Sequence, residues 1–93
     1  MSTDAKALLE RAAAELKVAG AREVYVFGSA AKGTGGVESD LDLAVSGLPP
    51  SVFYRVGARL SDLLGRSVDL IDLDISTPFT RYLRDENELV QVG

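Results

Sequence analysis

The segment Asp40 to Ser46, "DLDLAVS", alternates apolar and polar residues, which fits an extended strand and sends Leu41, Leu43 and Val45 to one face. Asp40, Asp42, Ala44 and Ser46 fall on the other. A strand of this kind needs a core under its apolar face, and the flanking sequence supplies candidates. Upstream, "VYVF" (Val24 to Phe27) is β-branched and aromatic and reads as a buried strand ending at Gly28. Between the two strands lie Gly28-Ser29 and ten further residues, "AAKGTGGVES", with three glycines and Lys32.

Helical patterns surround these strands. Leu8, Leu9, Ala12, Ala13 and Leu16 recur at helical spacing and predict a helix from Thr3 to Val18, stopped at Gly20. "GLPPS" is a turn that opens a second helix, in which Phe53, Val56, Leu60, Leu63 and Leu64 follow the 3.6-residue period and Gly65 caps the end. Gly57 inside it costs about 1 kcal/mol against alanine, and close approach to the sheet is the expected reason for it. "SVDLIDL" is a third strand, "STPFTRYLRDE" opens a third helix with Ser/Thr before Pro, and "LVQV" is a fourth strand, at an edge. Helices alternating with strands over 93 residues indicate an α/β fold, one domain spanning residues 1–93, with a small mixed sheet flanked by helices.

Composition narrows the chemistry. The chain has no histidine and no cysteine, which excludes Ser-His and Cys-His catalysis, histidine and thiolate metal sites, and disulfides. Carboxylates, lysine, arginine, tyrosine, hydroxyls and a bound metal remain. A net charge of -4 argues against nucleic-acid binding through nonspecific phosphate contacts. The first residues, "MSTDAKALLERAAAELK", lack the basic-then-apolar order of a secretory signal, and no apolar run approaches the roughly 20 residues that span a bilayer. The expectation is a cytoplasmic protein with no membrane contact.

Residues two apart on a strand share a face, so Asp40 and Asp42 can converge on one cation. Two adjacent carboxylates repel each other. A hard cation such as Mg²⁺ relieves that repulsion and keeps positions open for phosphate oxygens. The Gly28-Ser29 bend offers close-approaching backbone N–H groups and a hydroxyl, and Lys32 offers a point charge for a triphosphate. Gly28 and Ser29 at the end of one strand meet Asp40 and Asp42 at the start of the next only if the two strands run antiparallel. A third strand parallel to the second would bring Asp69 to the same edge, while Asp72, three residues later, projects to the opposite face. Taken singly, each element also fits a solvated strand face, a flexible connection or a surface lysine; "GSAAKGTG" lacks the Gly-Lys-Ser/Thr that ends a P-loop. The conjunction is what points to a site.

That conjunction, Gly28-Ser29, ten residues and "DLD" at Asp40 to Asp42, resembles the signature of the nucleotidyltransferases of the DNA polymerase β superfamily. "FGSAAKG", "SDLDLAV" and "GRSVDLIDL" are also similar to that family, from about Val24 to Leu73. Ala30 stands where members often carry arginine. The resemblance implies a polymerase β-like fold in which Asp40, Asp42 and Asp69 bind one or two Mg²⁺ ions and perform catalysis, while Gly28, Ser29 and Lys32 bind the phosphates of ATP. The small size is similar to minimal nucleotidyltransferases paired with HEPN-type toxins. That likeness implies an antitoxin that transfers AMP from ATP to a tyrosine of the toxin, silencing it. The rival expectations are a non-catalytic antitoxin acting by occlusion, with a vestigial nucleotide site, and an adaptor with a small-molecule acceptor. Phe79, Tyr82 and Leu83 on the last helix are candidates for a docking patch, with core packing expected for at least two of them.

Overall fold

The structure is a computed structural model that describes residues 3–28 and 41–93, with side chains from residue 6 onward. Its elements are α1 (Thr3–Ala19), β1 (Glu23–Val26), β2 (Leu41–Ser46), α2 (Pro50–Leu64), β3 (Val68–Asp72), α3 (Pro78–Asp85) and β4 (Val90–Gln91). The α/β class and the mixed sheet expected from the sequence are found. The sheet order is β3-β2-β1-β4. β1 is antiparallel to both β2 and β4, and β2 is parallel to β3. A parallel pair needs a crossover connection, and α2 provides it.

Alternation divides the sheet into two working faces. Val24 and Val26 of β1 and Leu41, Leu43 and Val45 of β2 pack with Leu9, Ala12, Ala13 and Leu16 of α1 and Val56 and Leu60 of α2. Leu16, Leu43 and Leu60 are completely buried, each stabilising the fold by roughly 1.5–3 kcal/mol relative to an exposed position. On the opposite face, Phe27, Ala44, Leu73 and Leu83 form a smaller cluster beneath α3. β2 is therefore covered on both sides along its second half, while its first residues reach the rim.

Local chemistry sets the helix limits. Pro50 begins α2, where its fixed φ suits the first turn, and Gly65 ends it in the left-handed region at φ 66°, its N–H donating to the Ser61 carbonyl. Thr77 and Thr80 cap the start of α3 reciprocally: the Thr80 N–H donates to Thr77 Oγ1 at 3.1 Å, and the Thr77 N–H to Thr80 Oγ1 at 2.8 Å. The amphipathic division of α3 is sharp. Leu83 is 2% exposed, whereas Phe79 is 47% and Tyr82 52% exposed. The expectation that at least two of these three pack into the core is thus corrected, because an eight-residue helix on a narrow sheet buries only one stripe.

The reason expected for Gly57 also needs correcting. A Cβ added there would sit 3.7 Å from Leu70 Cδ2, an ordinary van der Waals contact, so α2 does not approach the sheet closely enough to require glycine.

Candidate active site

β1 ends and β2 begins at the same rim of the sheet. The Phe27 N–H donates to the Asp42 carbonyl at 3.0 Å, which closes the antiparallel ladder just before the chain enters Gly28. Gly28 turns with φ 70°, in the left-handed region that favours glycine. A Cβ at Gly28 would lie 3.3 Å from Asp42 Cγ and would overlap Oδ2 outright. Bare backbone at this bend is therefore what leaves room for the Asp42 carboxylate.

Asp69 arrives from the other side. β2 and β3 pair in register, with Asp42 opposite Asp69, and laterally opposed residues of neighbouring strands share a face. Strand spacing puts their Cα atoms roughly 4.8 Å apart. Asp42 is partly buried at the rim and Asp69 is exposed. Asp72 pairs with Val45, three residues along β3 from Asp69, and so projects to the opposite face. Its Oδ1 accepts the Asp74 N–H at 3.0 Å, and Asp74 Oδ2 accepts the Gly47 N–H at 2.7 Å, so these two carboxylates serve the turns beyond the strands.

Of the residues expected to form the site, Gly28, Asp42 and Asp69 are brought together here. Ser29, Lys32 and Asp40 lie outside the described residues. Among the described residues, no three acidic side chains group around a metal position; the pair Asp42 and Asp69 is what the described sheet presents. Both offer hard oxygen donors, and the missing side chain of Gly28 leaves a cradle beside one of them, so the donor set fits Mg²⁺.

Two features of the same sheet face were not legible in the sequence. Phe27 packs edge-on against Phe79, with ring centroids 5.9 Å apart and an interplanar angle of 67°. Further from the rim, the Tyr25 hydroxyl donates to Glu23 Oε2 at 2.8 Å and Ser46 Oγ donates to Glu23 Oε1 at 3.2 Å. The hydrogen bond from Tyr25, then that from Ser46, lowers Glu23 from its ordinary value, and the same bond to Glu23 pushes Tyr25 up. Glu23, Tyr25 and Phe27 alternate onto one face, as do Asp42, Ala44 and Ser46. That parity was available from sequence, but the partners were not.

Among the described residues, no helix is long and apolar enough to cross a membrane. The chain resembles several solved structures. A candidate minimal nucleotidyltransferase is 31% identical with a TM-score of 0.74, covering 99% of each chain. A toxin-antitoxin crystal structure with AMP-PNP is 25% identical with a TM-score of 0.72, covering 88% of this chain and 70% of that one. A tri-AMPylated Shewanella oneidensis HEPN toxin in complex with an MNT antitoxin is similar in fold, at 20% identity and a TM-score of 0.70, covering 94% of this chain and 70% of that one. No curated protein matches the chain. The family model for the polymerase beta nucleotidyltransferase domain matches residues 13–91, spanning α1 to β4, and the chain belongs to that family.

Proposed function

We propose that the protein is a metal-dependent nucleotidyltransferase that moves AMP from MgATP to a tyrosine hydroxyl of a HEPN-type toxin and so acts as its antitoxin. The observation that carries this reading is the in-register pair Asp42 and Asp69, with the bare Gly28 backbone against the Asp42 carboxylate. The similarity to chains from a toxin-antitoxin complex with AMP-PNP and from a complex of a tri-AMPylated HEPN toxin supports the nucleotide and the partner.

In this reading Asp42 and Asp69, with Asp40 on sequence grounds, hold the metal. A Mg²⁺ ion held there would supply charge neutralisation and Lewis acidity toward the bound triphosphate. The Gly28 backbone, Ser29 and Lys32 orient the β- and γ-phosphates so that pyrophosphate departs in line. The acceptor oxygen bonds to the α-phosphorus as the bridging bond to the β-phosphate breaks. Asp69, exposed at the rim, completes the metal site and is also placed to take the proton released by the acceptor hydroxyl. Positioning and electrostatics supply most of the rate.

The test is incubation with α-labelled ATP, Mg²⁺ and the product of the neighbouring gene, comparing wild type with Asp42→Ala. Label on the partner that vanishes in the variant supports transfer. Neutralisation without ATP that survives the substitution indicates occlusion, and label leaving with the small-molecule fraction indicates a small acceptor.

A further inference from the structure

We infer that Phe79, on α3, is a positioning residue for Asp42, acting through the Phe27 ring and backbone. This rests on the reading of Asp42 as a metal-binding carboxylate. The linkage is continuous. Phe79 meets Phe27 edge-on at 5.9 Å, and Phe27 is 7% exposed, so its ring has few alternative positions. The Phe27 N–H is bonded to the Asp42 carbonyl at 3.0 Å, and the next residue, Gly28, lies against the Asp42 carboxylate.

The energetics favour this over simple core packing. Phe79 is 47% exposed, so removing it forfeits less burial than removing a core phenylalanine. An edge-to-face aromatic pair nonetheless adds about 0.5–1.5 kcal/mol beyond area burial. That energy falls on a residue whose amide ties the end of β1 to the start of β2. Phe27 sits at the last rung before the Gly28 bend, where a ladder would otherwise fray, and α3 reaches it by crossing the sheet face opposite α1 and α2. Without the Phe79 ring the rung opens more often, and the geometry of Asp42 relative to Asp69 broadens.

Two readouts test this with the full chain. The first is amide hydrogen exchange at Phe27, which needs no metal or nucleotide. The second is Mn²⁺ affinity by electron paramagnetic resonance, with Mn²⁺ as the probe. Phe79→Ala should speed Phe27 exchange by about 3- to 10-fold relative to amides at the centre of β2 and weaken Mn²⁺ binding several-fold. Phe79→Tyr keeps the ring and should restore both. Tyr82→Ala, which removes a similarly exposed aromatic from the same helix and leaves the Phe27–Phe79 ring pair in place, should change neither. Unchanged exchange at Phe27 in Phe79→Ala, or a loss that Phe79→Tyr does not rescue, would overturn the inference. If Asp42→Asn leaves Mn²⁺ binding intact while Phe27 exchange responds to Phe79, the metal reading fails and the mechanical linkage stands.

Discussion

The Asp42 carboxylate occupies the space that a side chain on Gly28 would need. Gly28 is thereby constrained twice, by its φ of 70° and by its neighbour. Gly28→Ala should cost about 1–2 kcal/mol from the left-handed backbone alone, a modest loss in a urea titration. Its effect on nucleotidyl transfer should be larger, on the order of 100-fold or more, because displacing a positioned group by about 1 Å costs that much. Equal loss of stability and activity, with active protein per folded molecule unchanged, would contradict this relationship.

Gly57 and Gly47 make a contrasting pair. Gly57 lies within α2 with room for a methyl group, so Gly57→Ala should stabilise the protein by up to about 1 kcal/mol, read as a raised urea midpoint with an unchanged slope. Gly47 has φ 92°, and a Cβ there would fall 2.9 Å from the Arg22 backbone N, which donates to the Ser46 carbonyl. Gly47→Ala should destabilise by at least about 2 kcal/mol.

The Glu23, Tyr25 and Ser46 group predicts a pH signature. Glu23 is depressed, so its contribution is present above the ordinary glutamate value and fades as pH falls through the lowered one. Tyr25 is raised, so its contribution is present below the ordinary tyrosine value and is lost as pH rises through the raised one. Side-chain ¹³C NMR titration of Tyr25→Phe should show Glu23 moving up towards its ordinary value. The remaining Ser46 bond, 3.2 Å long, should leave the return incomplete.

Much of this arrangement was legible in the sequence, for physical reasons that differ by element. α1 was readable to within a residue because its apolar stripe keeps helical spacing from Leu8 to Leu16 and Gly20 stops it. β2 was readable because its alternation admits one assignment of faces, and the strand directions followed from asking which of them let Gly28, Asp42 and Asp69 meet. The limits of β1 and β4 differ from the expected ones, because pairing decides them: β1 takes in Glu23 and ends at Val26, and β4 is Val90–Gln91, with Val92 and Gly93 continuing the backbone hydrogen bonding to Val24. The Phe27–Phe79 contact and the exposure of Tyr82 depend on how α3 settles across the sheet, which no local pattern encodes. The need for glycine at position 28 was expected from phosphate approach; the structure adds its contact with Asp42.

The most direct measurement is Mn²⁺ binding, in the presence of ATP, to wild type, Asp42→Asn, Asp69→Asn and Asp72→Asn. Asp42 and Asp69 share a register position and a face, whereas Asp72 projects from the other face of the same strand. Both Asp42→Asn and Asp69→Asn should weaken binding by at least about tenfold, near 1.4 kcal/mol each, since either removes a charged oxygen ligand; Asp72→Asn should bind as wild type does. Wild-type affinity in Asp69→Asn, or an equal loss in Asp72→Asn, would contradict a metal site shared between β2 and β3.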